Sequence, residues 1–270
     1  MAASQVPILP LDAVDLSVAA CLVLFAGLIS LGLRLRMERQ LAVAAIRTVV
    51  QLSLLGYALG WIFGLDHPAP VLVLAAAMII AAGRAAVARS SRRIAGVQWD
   101  ALASLTLSGL VTTFVVTGAI IGVEPWYRPQ YVVPLLGMVL GNSLTGISLC
   151  LDSVLERFDE GRPEIEMWLA LGATRWEAAR GALRDGVRRG MVPIINTMTV
   201  VGIVSLPGMM TGQILAGSSP VEAVRYQIVV MFMLAASSAV GSILVALLIW
   251  RRAFNDRHQL RADRIERTGT

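Results

Sequence analysis

Residues 164–217 read EIEMWLALGATRWEAARGALRDGVRRGMVPIINTMTVVGIVSLPGMMTGQILAG. A charged, amphipathic segment here runs directly into an apolar stretch that is long enough to cross a membrane and is interrupted by a proline. A connection between membrane spans is commonly passive, whereas this one carries helix caps, a helix break and an apolar stripe of its own. The pattern indicates a membrane protein with a surface shaped to touch a partner.

The composition of the chain supports that interpretation. Of its 270 residues, 56% are hydrophobic and 15% are charged, and the mean hydropathy is +0.71, which predicts an integral membrane protein rather than a soluble domain. The net charge is +5, but the arginines lie between apolar runs rather than in one patch, so nucleic acid is not an expected partner. Cys21 and Cys150 both fall in apolar stretches, so a disulfide framework is not expected.

Seven apolar runs have about the 20 residues that are needed to cross a hydrocarbon layer of about 30 Å. They lie near residues 13–33, 41–64, 69–88, 101–122, 131–151, 191–217 and 223–250. The predicted fold class is all-α: a polytopic integral membrane protein with seven transmembrane helices, in which residues 1–270 form a single transmembrane domain.

The arginines predict an orientation for these spans. Arginine is abundant after the first, third, fifth and seventh spans, whereas the other connections together carry only Arg128. Because arginine-rich loops stay in the cytoplasm, the N-terminus is expected outside and the C-terminus inside. The expected location is the cell membrane, inner or plasma, with the chain crossing it several times.

The connection after the fifth span, residues 152–190, is predicted to be a cytoplasmic segment of two short helices. Pro163 can begin the first helix, and Gly172 suits the left-handed residue that ends it. Thr174 with Glu177 three residues later is a capping-box pattern that begins the second helix. A sharp elbow is therefore expected at Gly172-Ala173-Thr174. Two interpretations stay open: a membrane-surface hairpin that only joins two spans, and a docking knob for a partner.

The predicted sixth span contains Pro207, which removes a backbone donor and is expected to kink or unwind the helix. Gly208 and Gly212 have the small-xxx-small spacing that lets a neighbouring helix approach closely. Met209 and Met210 beside the break are soft metal ligands but also ordinary core fillers, so a contact with an unknown metal and simple packing both stay open. A packing kink and a break that lines a cavity both remain open.

The elbow resembles the coupling helix of ATP-binding-cassette (ABC) transporter permeases, which often reads Glu-Ala-Ala, three residues, then Gly. Glu166 and Gly172 have that spacing, and Leu171-Gly172-Ala173-Thr174 looks like the turn of such loops. Met167 and Trp168 replace the two alanines.

A closer resemblance covers nearly the whole chain. The run Val200-Val201-Gly202-Ile203-Val204-Ser205-Leu206-Pro207-Gly208-Met209-Met210-Thr211-Gly212 is similar to the signature of the FetB family of iron-export permeases, which includes permease-like proteins of plant aluminium tolerance. Further matches are Arg47, Gln51-Leu52, Pro134, Gly137-Met138, Gly141-Asn142, Phe254-Asn255 and His258-Gln259-Leu260.

The resemblance implies the permease subunit of an ABC transporter that exports iron or another metal. An ABC ATPase subunit would dock on the elbow, and a homodimer in membrane lipid is the expected assembly. The chain has no GxxxxGK[ST] phosphate loop, so it is not expected to be an enzyme or to bind a cofactor, and ATP and Mg²⁺ would bind the partner subunit.

The candidate site residues form two groups. The expected ATPase-coupling residues are Glu166, Trp168, Leu169, Leu171, Gly172, Ala173 and Thr174. The expected pathway or hinge residues are Arg47, Gln51, Asn142, Asn196, Pro207, Gly208, Met209, Met210 and Gly212. An arginine inside a span is a functional candidate by default, although near a span end it can also snorkel to the surface.

Two other functions fit parts of the sequence. A secondary carrier driven by an ion gradient would need titratable groups near the membrane midplane, and no acid lies clearly inside any predicted span. A membrane scaffold without transport activity would recruit a soluble partner through the same elbow. Transport without ATP would favour the carrier, and a bound partner that lacks a nucleotide site would favour the scaffold.

Overall fold

The computed structural model describes residues 12–65, 67–88 and 90–267, and most of them are helical. The helices are α1 (Ala13–Gly32), α2 (Glu38–Phe63), α3 (Pro68–Ala88), α4 (Val97–Phe114, continued by a π-helical segment, Val115–Ile121), α5 (Pro129–Glu160), α6 (Arg162–Ala170), α7 (Arg175–Val200), α8 (Gly208–Leu215) and α9 (Pro220–Ala253). Two short strands, β1 (Arg92–Ile94) and β2 (Ile265–Arg267), pair antiparallel with Ile94 opposite Ile265.

One compact unit of the chain contains α1, α2 and residues 213–218. At the turn between its two long helices, the Ser30 hydroxyl donates to Glu38 Oε2 (3.2 Å) and accepts from the backbone N–H of Met37 (3.1 Å). Among the described side chains of α1 and α2, only Ser30 and Ile62 are buried. Long apolar helices with such exposed surfaces are expected where lipid is the solvent.

The second unit contains α3 to α7, α9 and both strands, and α5 lies at its centre. α5 packs against α3, α4, α7 and α9. Its fully buried side chains include Leu151, Val154, Leu155 and Phe158, so the apolar core continues beyond the run that predicted the fifth span.

Glycines allow α5 and α7 to cross at close range. A Cβ atom at Gly190 would lie 2.7 Å from the carbonyl oxygen of Gly146, and one at Gly146 would lie 2.9 Å from the carbonyl oxygen of Gly190. Real side chains do not fit such distances, so the crossing requires glycine on both helices.

Buried serines connect α5 to its other neighbours. The hydroxyls of Ser143 and Ser237 share a hydrogen bond between α5 and α9. The Ser148 hydroxyl donates to the carbonyl of Ala86 in α3 (3.0 Å). Small hydroxyl side chains satisfy each other between helices while still allowing close packing.

Six of the seven predicted spans correspond to long apolar helices in the structure. Six segments of the described residues are long and apolar enough to cross a membrane, and they correspond to α1, α2, α3, α4 with its π-helical continuation, α5 and α9. The predicted sixth span, 191–217, is not one helix, because α7 ends at Val200, residues 201–207 are not helical and α8 begins at Gly208. The expected interruption at Pro207 is confirmed.

The predicted two-helix segment 152–190 is also corrected. Residues 152–160 are the end of α5, and only the nine-residue α6 is a short helix. The second predicted helix is the 26-residue α7, which continues into the apolar residues 191–200. Charged side chains mark a change of surroundings, but they do not end a helix whose backbone can keep bonding from residue i to i−4.

Candidate functional site

The elbow, defined as residues 171–174, begins where two backbone hydrogen bonds close the end of α6. The N–H of Gly172 donates to the carbonyl of Leu169 (3.1 Å), and the N–H of Ala173 donates to the carbonyl of Trp168 (3.0 Å). Gly172 has φ +91°, a left-handed conformation that glycine adopts without strain. These features form a Schellman motif, so the predicted role of Gly172 in ending the helix is confirmed.

The elbow ends where Thr174 caps α7. The backbone N–H of Thr174 donates to Glu177 Oε2 (2.8 Å), as does the Thr174 hydroxyl (2.8 Å), while the N–H of Glu177 donates to the Thr174 hydroxyl oxygen (3.3 Å). The predicted capping box is therefore confirmed. The backbone N–H and then the hydroxyl of Thr174 lower the pKa of the Glu177 carboxyl from its ordinary value of 4.5, because both stabilise the charged form.

Large apolar side chains protrude around the elbow. Trp168 and Leu171 are 48% and 74% exposed, and Met167 and Trp176 are also exposed. Leu169, by contrast, packs against the apolar core, and Ile165 is buried. Large exposed apolar side chains grouped on an anchored turn suit contact with a partner protein or with the membrane surface.

The other predicted coupling residues support the shape of the elbow. Glu166 forms an ion pair with Arg162 Nε (2.6 Å) one helical turn earlier. Ala173 is partly buried and Thr174 is the cap. These residues hold the turn, while Trp168 and Leu171 form its accessible face.

The start of α7 is clasped by the C-terminal end of α9 and the turn that follows it. The N–H of Arg175 donates to His258 Nδ1 (3.0 Å), and the Arg175 guanidinium donates to the carbonyl of Asn255 (3.3 Å). Trp250 Nε1 donates to the carbonyl of Arg175 (3.2 Å). The Trp250 ring also lies 5.3 Å from the guanidinium carbon and 5.2 Å from the ring of Trp176.

Sequence reasoning missed this clasp. Asn255 and His258 were recognised only as family matches, and the contacts join positions that are 75 to 83 residues apart in the chain. No local spacing signals a contact over that distance. The available signal was the tail motif, Phe254-Asn255 with His258-Gln259-Leu260. It combines a turn with side chains that can accept hydrogen bonds from the first N–H groups of a helix.

The break, defined as residues 201–207, is a compact turn rather than an extended strand. Gly202 has φ +83°, and its N–H donates to the carbonyl of Ser205 (2.9 Å). The N–H of Thr211 donates to the carbonyl of Pro207 (3.0 Å), which begins α8. The chain is therefore ordered by its own hydrogen bonds where the helix is interrupted.

A cavity of about 450 Å³ lies between the end of α7, the break and α9. Pro207 and Met210 line it, as the predicted hinge group would suggest, and Met198, Gln227 and Met231 were not predicted. Met209 does not line the cavity and packs instead against a neighbouring apolar cluster.

The remaining predicted pathway residues are dispersed. Arg47 and Gln51 are exposed on α2, in the first unit, and Asn196 is exposed on α7. The Asn142 amide donates to the carbonyl of Met138 (3.0 Å) in its own helix. A Cβ atom at Gly208 or Gly212 would meet no described atom within 4 Å, so a close helix approach at these glycines stays a prediction.

Histidine, cysteine and carboxylate side chains are not grouped as a metal site in the described part of the chain. Residues 12–65, 67–88 and 90–267 contain no set of three or more His, Cys, Asp and Glu side chains that could hold a metal ion. Within that part, the thioethers beside the break are the conspicuous soft donors.

Comparison with known proteins confirms the resemblance drawn from the sequence. The model of the UPF0014 family, described as an uncharacterised protein family, matches residues 13–254. A UPF0014 membrane protein of Synechocystis is 39% identical over 231 residues, which cover 84% of this chain and 87% of the relative. The probable iron export permease protein FetB of Escherichia coli is 33% identical over 248 residues, covering 91% and 93%.

A plant relative also matches. The Arabidopsis thaliana protein ALUMINUM SENSITIVE 3 is 30% identical over 242 residues, which cover 90% of this chain and 87% of the relative. No solved structure matches the chain.

Proposed function

We propose that this chain, which belongs to the UPF0014 family of membrane proteins, is the permease subunit of an ABC transporter that exports iron or another metal. A separate ATPase subunit would bind the elbow and supply the energy. The observation that carries this proposal is the elbow itself: a turn fixed by a Schellman motif and a capping box, with Leu171 and Trp168 exposed on it.

The proposed topology keeps seven crossings with the N-terminus outside. The sixth of these crossings along the chain consists of the end of α7, the break and α8, so it is a discontinuous span. Irregular backbone is tolerated at membrane depth where it is buried in protein or lines a cavity, and the break borders a cavity of about 450 Å³. In this proposal the elbow and the tail lie in the cytoplasm, a location that the arginine-rich connections favour.

The elbow and the break lie at opposite ends of α7. α7 runs without interruption from Arg175 to Val200, a length of about 39 Å at 1.5 Å per residue. Closure of the ATPases around ATP would move the elbow, and α7 would carry that movement to the break. One continuous helix thus joins the elbow to the break.

The ATPase is a different polypeptide in this proposal. The sequence has no phosphate loop, so ATP and Mg²⁺ would bind the partner and no cofactor would bind this chain. Two copies of the chain with two ATPases form the proposed complex in the membrane, and the exposed apolar surfaces of α1 and α2 would face lipid or the second copy.

The cargo is inferred from the relatives. FetB of Escherichia coli carries a name that describes iron export, and the described residues of the present chain offer no cluster of carboxylates or imidazoles that would trap an ion tightly. An exporter needs its ion to leave, so transient contacts along the route suit transport better than a high-affinity cage.

Copurification and reconstitution test this function. The tagged chain, purified from its native host, is expected to bring down a polypeptide with a phosphate loop, and the complex in liposomes should hydrolyse ATP faster when metal is supplied. Metal transport without ATP would instead identify a carrier, and a partner without a nucleotide site would identify a scaffold.

Variants of the elbow make the test residue-specific. Leu171→Asp and Gly172→Val should each reduce metal-stimulated ATP hydrolysis at least tenfold, since one removes the apolar contact and the other cannot easily adopt φ +91°. Gly181→Asp is the matched control, because Gly181 is an exposed position of α7 where a Cβ meets nothing within 4 Å. Normal coupling in both elbow variants contradicts the proposal.

A further inference from the structure

The cavity beside the break is lined by methionines from three separate elements. Met198 comes from the end of α7, Met210 from α8 and Met231 from α9. All three belong to the second unit of the chain. Their thioether sulfurs are soft, neutral donors, a ligand type that selects Cu(I) and similar soft ions.

Methionine is concentrated in this region of the protein. Seven of the chain's 11 methionines either line the cavity or belong to the apolar cluster that includes Met231. They are Met138, Met191, Met198, Met209, Met210, Met231 and Met233. Methionine that only fills gaps has no reason to gather at one place, since leucine fills most gaps with less loss of side-chain order.

Gln227 supplies an independent indication of a ligand. Its side chain lines the cavity and is 7% exposed. Its Oε1 atom is buried, and no hydrogen-bond partner for it exists among the described residues. A buried amide oxygen without a partner is unfavourable, and the positive charge of a cation held by the sulfurs would stabilise its dipole, although the oxygen itself is a hard donor. Gln227 and Met231 are four residues apart on α9, so they lie on the same face of that helix.

The donor side chains of the cavity are neutral, and this restricts the charge of an ion that could bind there. No Asp, Glu, His or Cys is among the residues that line this cavity, and its surface is mainly apolar. Neutral thioethers and an amide compensate the charge of an ion poorly, and the cost of moving an ion out of water rises steeply with that charge. A soft monovalent cation therefore fits better than a divalent or trivalent one.

We propose that Met198, Met210, Met231 and Gln227 form a binding site for a soft monovalent metal ion, Cu(I), for which Ag(I) is a surrogate. The site rests on the proposed function only where the ion is regarded as cargo, because binding itself needs neither ATP nor a partner. The sequence indicated the adjacent Met209 and Met210 as candidate metal ligands. In the structure Met210 lines the cavity together with residues of α7 and α9, whereas Met209 does not line it.

The test is Cu(I) binding to the full purified chain in detergent, without oxygen and in competition with bicinchoninate. Cys21 is an exposed free thiol that could bind Cu(I) itself, so all variants carry Cys21→Ala. One Cu(I) per chain is expected, with sulfur neighbours in the X-ray absorption spectrum of the copper.

The variants separate the cavity from the neighbouring cluster. Combined Met198→Leu, Met210→Leu and Met231→Leu should weaken Cu(I) binding at least 100-fold, and Gln227→Leu about tenfold, as expected when a metal ligand or its support is lost. Combined Met138→Leu, Met209→Leu and Met233→Leu is the matched control and should change affinity less than threefold. Leucine has a similar volume, and Met210→Leu alone covers the case in which a triple variant fails to fold.

Three results would overturn the site: no Cu(I) bound by the parent chain, equal weakening in the two triple variants, or copper with only nitrogen and oxygen neighbours. The proposed function is decided separately by ATP hydrolysis of the complex. Metal-stimulated ATP hydrolysis without Cu(I) binding would contradict the proposed site and support the transporter function. Cu(I) binding without a coupled ATPase would support the site and contradict the transporter function.

Discussion

Arg252 and Asp100 form a bidentate ion pair, with Arg252 Nε 2.5 Å from Asp100 Oδ2 and Arg252 Nη2 2.7 Å from Asp100 Oδ1. The pair joins the last turn of α9 to the first turn of α4, and the Asp100 side chain is 9% exposed. Gly96, with φ +86°, lies against the guanidinium, where a Cβ atom would collide with it. The ion pair between Arg252 and Asp100 therefore also depends on the absence of a side chain at Gly96.

Replacing Arg252 with alanine is expected to destabilise the fold more than replacing the adjacent Arg251. Arg252→Ala leaves the Asp100 carboxylate nearly buried without its partner, which should cost about 3 kcal/mol in the free energy of unfolding. Arg252→Lys keeps the charge but not the bidentate geometry, so an intermediate loss is expected. The exposed Arg251→Ala is the control. Unfolding in lipid bicelles measures all three, and equal stability of the Arg252 and Arg251 alanine variants contradicts the assignment.

Trp250 is expected to hold the elbow in place. Trp250→Ala removes the indole hydrogen bond to Arg175, the cation–π contact and the ring contact with Trp176, together worth about 2 kcal/mol. Amide hydrogens of residues 171–178 should then exchange at least tenfold faster, as measured by mass spectrometry. Trp250→Phe keeps a ring and should accelerate exchange only a few-fold. Unchanged exchange in both variants would show that the clasp does not order the elbow.

Glu177 is expected to titrate below its ordinary pKa of 4.5 because Thr174 donates two hydrogen bonds to its carboxylate. Since the folded pKa is lowered, the cap contributes stability above the unfolded value, and this contribution is lost as pH falls through the folded value. Carbon-13 spectra of labelled glutamate, assigned with Glu177→Gln, should place the midpoint below 4.5. Thr174→Val should raise the midpoint of the Glu177 titration. A midpoint that is the same with and without this substitution would contradict the capping box.

Gly190 is expected to tolerate no side chain. In Gly190→Ala the new methyl group would press against the carbonyl of Gly146 and the hydroxyl of Ser242, which should cost about 1–3 kcal/mol. Gly181→Ala, in the same helix but with open space around it, should instead stabilise by about 0.4–1 kcal/mol. Thermal unfolding in detergent compares the two. Opposite signs are expected, and a neutral result at Gly190 would contradict the close crossing.

The local features of the elbow could be predicted because their chemistry lies within a few residues. The capping box joins Thr174 to Glu177, and the Schellman motif at Gly172 involves the preceding turn alone. The cap of α9 is equally local, since the N–H of Glu222 donates to the hydroxyl oxygen of Ser219, three residues earlier (3.2 Å). Propensity and spacing contain enough information for such contacts.

The helix boundaries were predicted less well. Charge begins at Asp152, but α5 continues to Glu160, and α7 crosses from charged to apolar sequence without a break. Hydropathy reports the surroundings of a side chain, whereas a helix ends only where its backbone bonding is interrupted.

The long-range contacts could not be predicted from one sequence. Asp100 and Arg252 are 152 positions apart, and nothing in either neighbourhood indicates the other. The same holds for the cavity, which Gln227 and Met231 of α9 line together with Met198 of α7. Such contacts depend on how whole helices pack, which no spacing along the chain encodes.

The close crossing of α5 and α7 at Gly190 extends to Gly186, where a Cβ atom would collide with the side chain of Val154, and it lies near the middle of α7. At 1.5 Å per residue, about 20 Å of helix lies between the elbow and the middle of this crossing, and about 18 Å lies between the crossing and the break. A helix that tilts about a point near its middle moves its two ends in opposite directions. In the proposed transporter, we therefore expect a movement of the elbow to tilt α7 about this crossing and to shift the wall of the cavity the opposite way.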